Sequence, residues 1–168
     1  FCNPQRVEFT QLCSGNPDGF IWRFGNGTSG IQPTDYATYS SPGTYTVTLI
    51  AIYADVAISV TKNVVINPTP FISLTADRYQ LCQTGTINFT ASGSPTIATY
   101  EWDFGDGSPV VTTTGNTTSH FFNTFDHFEV KVKGITSAGC SASTLDTVRI
   151  IRFGVLDAGI DKPGGCIP

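Results

Sequence analysis

The chain contains no methionine, only two histidines and few charged residues. Asp, Glu, Lys and Arg make up 13% of its 168 residues, about half the ~25% usual for soluble domains. Thr, Ser, Gly, Asn and Pro supply the polarity instead, a composition that suggests a secreted β-protein. Thirteen acidic residues against nine basic ones leave a net charge of −4. That balance argues against a nucleic-acid partner, whose phosphates call for a basic patch. No apolar run approaches the ~18 residues of a membrane-spanning helix. Gly-x-Ser-x-Gly, His-Glu-x-x-His and Cys-x-x-Cys are all missing, so the common nucleophile, zinc-peptidase and redox motifs are excluded. Nothing in the chain calls for a cofactor or a metal, and the expectation is a protein without catalytic activity.

What is present is a repeat. Phe20-Ile21-Trp22-Arg23-Phe24-Gly25-Asn26-Gly27 recurs 80 positions later as Tyr100-Glu101-Trp102-Asp103-Phe104-Gly105-Asp106-Gly107. The same offset carries Cys2 onto Cys82 and Val7-Glu8-Phe9-Thr10 onto Ile87-Asn88-Phe89-Thr90. An offset of 83 carries Tyr39, Tyr45, Val47 and Leu49 onto Phe122, Phe128, Val130 and Val132. Self-similarity over this length means tandem units, each with its own core. The boundaries fall at residues 1–67 for the first repeat, 68–153 for the second and 154–168 for the opening strand of a further one. The first repeat lacks a counterpart of Phe71–Ala76, so its first strand is expected to be missing. Ile66-Asn67-Pro68-Thr69-Pro70 forms the linker, stiffened by its two prolines into a short spacer.

Strand signals dominate both repeats. Residues 45–52 and 128–135 alternate β-branched or aromatic residues with polar ones. Further strands are expected near 6–11, 19–24, 57–66, 71–76, 86–91, 98–104, 118–122 and 141–152. Turns are marked by Gly25-Asn26-Gly27, Pro42-Gly43, Gly105-Asp106-Gly107 and Ala138-Gly139. No window shows sustained helical periodicity. Short strands at regular spacing predict an all-β fold of paired antiparallel sheets.

These residues reach a family. Tyr100-Glu101-Trp102-Asp103-Phe104-Gly105-Asp106-Gly107, then His120-Phe121-Phe122, then Phe128-Glu129-Val130-Lys131-Val132 resembles the PKD (polycystic kidney disease) domain. Its pattern is W-D-F-G-D-G, a later H-x-Y and then G-x-Y-x-V-x-L. Repeat one is a degenerate copy: Trp22-Arg23-Phe24-Gly25-Asn26-Gly27, Thr38-Tyr39 and Gly43-Thr44-Tyr45-Thr46-Val47-Thr48-Leu49. It lacks the His and both acidic residues, and repeat two has Asp126 where Gly is usual. The resemblance implies tandem immunoglobulin-like (PKD-type) β-sandwiches without catalytic activity. The placement of Cys82 and of Gly139-Cys140 is similar to PKD-like repeats in giant surface proteins of Bacteroidota, including gliding-type adhesins exported by the type IX system. Residues 157–161 with Cys166 resemble a repeat opening in those proteins.

Each conspicuous residue has a structural and a functional reading. Glu101, Asp103 and Asp106 form the only acidic cluster. Calcium needs several oxygen ligands in one place, and repeat one keeps the turn with Arg23 and Asn26 at the acidic positions, so a tight turn is preferred to a metal or sugar site. Trp22 and Trp102 lie in alternating strand patterns and read as core rather than sugar platforms. His120 corresponds to the family's structural His and is expected to bond a neighbouring loop; neither it nor His127 has a nucleophile partner by motif. Asn26, Asn88 and Asn116 open N-glycosylation sequons, and Asp146-Thr147-Val148 resembles a short O-glycosylation motif of Bacteroidota, which makes Thr147 a candidate.

Five cysteines suggest disulfides, with at least one partner outside the chain. Sandwich topology argues against the obvious Cys82–Cys140 bond. It puts the two residues at opposite ends of a nine-residue strand, ~25–30 Å apart, whereas a disulfide needs Cα atoms within ~7 Å. Cys2, at the lower end of repeat one, and Cys140, at the upper end of repeat two, are expected to form an inter-domain staple, with Cys13, Cys82 and Cys166 reaching neighbouring repeats. An intradomain Cys82–Cys140 bond is the alternative should the strand order differ. The function expected is a structural or adhesive spacer on an extracellular, bacterial cell surface. Its partners are neighbouring repeats and surface polysaccharide or other surface proteins. The alternatives are a carbohydrate- or protein-binding accessory module of a secreted hydrolase and a self-assembling lattice protein.

Overall fold

The computed structural model describes residues 1–54 and 56–152. The chain divides into two compact units, Phe1–Thr69 and Pro70–Pro168. In unit 1, β1 (Gln5–Thr10) pairs antiparallel with β4 (Thr34–Tyr39). Facing them is a four-stranded antiparallel sheet in the order β3 (Ser29–Gly30), β2 (Gly19–Arg23), β5 (Gly43–Tyr53), β6 (Val56–Ile66). Along β5 the side chains alternate, so Val47, Leu49 and Ala51 are buried while their neighbours are not. This is the period-2 geometry of a strand with one face on a core. The core packs Val7, Trp22, Phe24, Tyr39, Val47, Leu49 and Ile66 between the two sheets.

Unit 2 has the same plan with two additions. One sheet runs β12 (Thr117–Phe122), β9 (Gly85–Gly93), β7 (Ile72–Ala76). The other runs β11 (Val111–Thr113), β10 (Ile97–Asp103), β13 (His127–Thr136), β14 (Ser141–Ile150), β8 (Gln80–Leu81). Strand β7, on the outer edge of β9, is one addition; the parallel pairing of β8 with β14 is extended where unit 1 has only a bridge between Cys2 and Asn67. The internal repeat is a repeat of register. Trp22 stands opposite Leu49 across β2 and β5, and Trp102 opposite Val132 across β10 and β13.

Both tryptophans are buried, and each indole N–H finds an acceptor, as buried Trp requires. Trp22 donates to the Gln32 carbonyl at 2.9 Å and Trp102 to the Thr113 hydroxyl at 3.0 Å. Unit 1 adds a tether that unit 2 lacks: the Tyr45 hydroxyl donates to the Ser41 carbonyl four residues upstream, at 2.9 Å. The matching Phe128 has no hydroxyl to offer. Strands β3, β4, β8 and β11 were not marked by alternation in the sequence. β4 (Thr-Asp-Tyr-Ala-Thr-Tyr) buries only Ala37 and Tyr39, too weak a pattern to read. The other three are two- or three-residue pairings defined by their neighbours.

Two glycines per unit shape the turn after the tryptophan strand. Gly105 has φ +72° and a Cβ there would lie 2.5 Å from the Glu129 carbonyl oxygen on β13. Gly25 has φ +76° and would meet the Thr46 carbonyl on β5 at 2.7 Å. Gly107 also has positive φ, +83°, but nothing within 4 Å of a Cβ. The two positions therefore separate conformational strain from close backbone approach. Gly107→Ala is expected to destabilise unit 2 by about 1–2 kcal/mol, the cost of a left-handed alanine. Gly105→Ala is expected to cost more, about 3–4 kcal/mol, because β13 must also move. Urea melts of the two variants check this: equal losses would show that the contact with β13 contributes nothing.

Candidate functional site

The turn and the strand before it carry the acidic cluster, and its three carboxylates have no partner in common. Asp103 accepts the Gly105 N–H at 3.1 Å. Asp106 accepts the Ser108 N–H at 3.0 Å, and its other oxygen lies 2.7 Å from His120 Nε2 on β12. Glu101 reaches across from β10 to Lys133, directly opposite on β13, an ion pair of 3.0 Å with both side chains more than a third exposed, and such surface pairs contribute little. Among the described residues no group of three or more His, Cys, Asp or Glu converges on a common point. The arrangement does not assemble the oxygen ligands a hard cation needs.

His120 closes the turn against the core. Its ring stacks on Phe104 with centroids 3.9 Å apart and 9° between planes, and meets Phe122 edge-on at 4.7 Å. One side of the Asp106–His120 pair is thus apolar. Unit 1 reaches the same turn without charge: the Asn26 amide donates to the Thr38 carbonyl at 3.0 Å and its oxygen accepts the Thr28 N–H at 3.0 Å. Ala37 occupies the place of His120 in the strand register. One polar side chain bonding both the turn and the neighbouring sheet is common to both units.

Burial disfavours the charge on Asp106, but hydrogen bonds from Ser108 and His120 outweigh it and hold the carboxyl at about 2, below the ordinary 3.8. A carboxylate with a depressed folded-state pKa adds stability above its unfolded value, and that stability is lost as pH falls towards the folded value. The contribution is on the order of 2 kcal/mol. Asp106→Asn, which puts the residue of unit 1 into unit 2, is expected to flatten the loss of unit 2 stability between pH 4 and pH 2. Urea midpoints measured across that range check it; parallel curves for wild type and variant would remove Asp106 from the acid response.

The cysteines form the second cluster of interest. Cys2, Cys82 and Cys140 are disulfide-bonded, and Cys13 carries a free thiol. Cys166 lies outside the described residues, as does the rest of the expected further repeat, residues 154–168. Cys2 sits at the linker end of unit 1. It bridges Asn67, Asn3 accepts the Thr69 N–H through its side chain at 2.9 Å, and the Thr69 hydroxyl bonds the Asn3 carbonyl. Cys140 sits at the linker end of unit 2. Its carbonyl accepts the Thr136 N–H at 2.8 Å, Thr136 pairs with Ile97, and Phe71 and Ser94 exchange hydrogen bonds on the same rim.

Cys82 lies at the far end of unit 2, since Leu81 pairs with Ile150 and accepts the Ile151 N–H at 2.9 Å. The ten residues of β14 separate it from Cys140. At ~3.3 Å per residue that is about 30 Å, far beyond the ~7 Å a disulfide allows. The intradomain alternative is therefore excluded by register. Cys13 lies at the end of unit 1 away from the linker, near Tyr53, whose hydroxyl donates to the Ser14 carbonyl at 2.7 Å. Thr147 is exposed on β14. The Asn88 and Asn116 amides are engaged, with Asp77 at 2.9 Å and the Ala91 carbonyl at 2.9 Å.

Two facing antiparallel sheets with a buried tryptophan on an inner strand, repeated twice, define tandem immunoglobulin-like β-sandwiches. Both sandwiches match the PKD domain, over residues 1–66 and 72–149, and the chain belongs to that family. Among solved structures it is similar to fibronectin(III)-like modules of Clostridium thermocellum CbhA. That match has 17% identity and a TM-score of 0.53, covering 96% of this chain and 94% of that one; the likeness is one of fold. The amphioxus IgVJ-C2 molecule matches at 13% identity and a TM-score of 0.37, over 89% of this chain and 99% of that one. PKD domains are typically non-catalytic, and both PKD domains and disulfides are typical of extracellular proteins. No helix among the described residues is long and apolar enough to cross a membrane.

Proposed function

We propose that this chain is a spacer segment of a large secreted protein on a bacterial cell surface, holding an adhesive element away from the cell or forming part of a filament. The observation that carries the reading is the placement of the bonded cysteines. Cys2 stands at the linker end of unit 1 and Cys140 at the linker end of unit 2, joined by a linker with two prolines. A Cys2–Cys140 bond across Asn67-Pro68-Thr69-Pro70 would restrict bending and shield the linker from proteolysis. Cys82, at the far end of unit 2, then takes its partner from residues beyond β14. Cys13, at the far end of unit 1, remains for a preceding repeat. The export route, gliding-type adhesin relatives and O-glycosylation of Thr147 belong to the same reading, with neighbouring repeats as principal partners and surface polysaccharide or surface proteins as further ones.

An accessory binding module is the second reading. Trp22 and Trp102 are buried and give it no platform. Its support is one exposed aromatic on the β4 or β12 strand of each unit, Tyr36 and Phe121. Tyr36 is already covered by the Arg6 guanidinium, 3.6 Å from its ring centre.

Non-reducing peptide mapping of the secreted protein is expected to recover a Cys2–Cys140 crosslink and no Cys82–Cys140 crosslink. Replacing both Cys2 and Cys140 by serine is expected to leave each unit folded by near-ultraviolet circular dichroism but to broaden the distance distribution in X-ray scattering. Retention of the intact fragment on insoluble glycan, with an unchanged distance distribution in the serine variant, would favour the binding module instead.

A further inference from the structure

The larger sheets of the two units present opposite chemistries to solvent. On β2 and β5 of unit 1, Trp22 and Leu49 turn into the core. Their neighbours Ile21 and Ile50, which stand opposite each other, therefore turn outward. Two residues along the same face Ile52 stands opposite Ala57 in one direction, and Arg23 opposite Thr48 in the other. In unit 2 the register equivalent of Ile21 and Ile50 is Glu101 with Lys133, an ion pair of 3.0 Å. Asp103 opposite Lys131 takes the place of Arg23 opposite Thr48. The shared fold thus accepts a solvated charged pair where unit 1 places two isoleucines.

Ile52 is 36% exposed, and Ile31, the residue after β3, is 69% exposed at the edge of the same sheet. Ile21 and Ile50 are half-buried, and none of the four isoleucines belongs to the core cluster or packs on it. Large apolar side chains gathered on one solvent face mark a contact surface, whereas the same residues scattered singly mark nothing. The charges around this patch are placed symmetrically. Arg23 follows Ile21 by two residues and Asp18 precedes it by three. Both are exposed, and neither has an ion-pair partner among the described residues. Asp18 is tied to the Ile52 end of the face, where its N–H donates to the Ile52 carbonyl at 2.7 Å.

We propose that the outward face of β2 and β5 in unit 1 binds the same face of a second copy of this chain. A two-fold axis lying across the strands, at the level of Ile21 and Ile50, lets the strands of the two copies run in opposite directions. Each isoleucine of the patch then packs on the patch of the other copy. Arg23 of each copy stands over the Asp18 end of the other, and symmetry makes the two ion pairs equal. Sheets packed face to face lie ~10 Å apart, a gap that side chains from both fill. Four strands at ~4.8 Å by five residues at ~3.3 Å give a footprint of roughly 300 Å². A stable complex buries ~800 Å² on each partner, so the contact is weak and reversible. Such a contact suits chains already held side by side, where effective concentration compensates for low affinity. The inference goes beyond the spacer reading and does not rest on any cysteine pairing.

The test uses the full chain with Cys13→Ser throughout, so that no thiol crosslink can imitate association. Sedimentation equilibrium and amide NMR shifts are followed from ~10 µM to ~1 mM, the range of a weak complex. The chain is expected to dimerise within it, with concentration-dependent shifts centred on residues 18–23 and 48–52. Ile21→Glu with Ile50→Lys installs the pair that unit 2 already carries at the same register, and thermal melting checks that the fold is kept. That double variant is expected to weaken dimerisation at least tenfold. Arg23→Asp alone is expected to weaken it as well, and Arg23→Asp with Asp18→Arg to restore it. A chain that stays monomeric at ~1 mM, a dimer unaffected by the Glu–Lys pair, or shifts that map to other residues overturns the proposal. So does a charge reversal that the second substitution fails to rescue. Each of these outcomes leaves the Cys2–Cys140 crosslink test, and with it the spacer reading, untouched.

Discussion

The close approach of a carbonyl on the central strand to a glycine in the turn after the tryptophan strand is the constraint on which each unit depends. Gly25 against Thr46 and Gly105 against Glu129 leave no room for a Cβ. The contact fixes how far β2 and β10 run before turning, and so fixes where the tryptophan side chain enters the core. With the turn anchored, Phe24 and Phe104 are buried behind it, and the strand that follows returns as the edge of the same sheet. The same Phe-Gly-x-Gly framework survives replacement of both acidic residues and the histidine in unit 1. Backbone geometry, not charge, is what the turn needs.

The polar side chain in the turn is then free to vary. Asp106 with His120 in unit 2 and Asn26 with the Thr38 carbonyl in unit 1 do equivalent work: each ties the turn to the opposite sheet. The charged version is shielded on one side by Phe104, which strengthens the bond but makes it sensitive to acid. The neutral version lacks that sensitivity. The acidic cluster thereby belongs to the architecture of the sandwich, and the chemistry that distinguishes this chain lies at the unit ends. Cys2, Cys82 and Cys140 are bonded there, and Cys13 presents its thiol at another end.

Much of the fold was legible because a β-sandwich writes itself in period 2. β5 and β13 alternate along their whole length, and the 80-residue offset announced two units before any strand was placed. The tryptophans read as core because they lie within such alternation. The shortest strands were not legible. β3, β8 and β11 have two or three residues each, and β4 differs from a loop only by Ala37 and Tyr39. Their pairing comes from neighbours distant in the chain, so no local pattern carries it. The exposure of Ile58 and Val60 on β6 was likewise only half-readable. The sequence shows a repeat without a counterpart of β7, but exposure of Ile58 and Val60 depends on the space between two sheets.

The sequence by itself determined the all-β class, the duplication, the turn glycines and the family, because each rests on spacing between near neighbours or on a repeat of them. Tertiary structure alone decided which carboxylate meets His120, which backbone carbonyls crowd the turn glycines and where the shortest strands pair. The physical reason is register. A strand's partner is set by hydrogen bonds between residues up to seventy positions apart, and pairings over that range leave no local periodicity from which to read them.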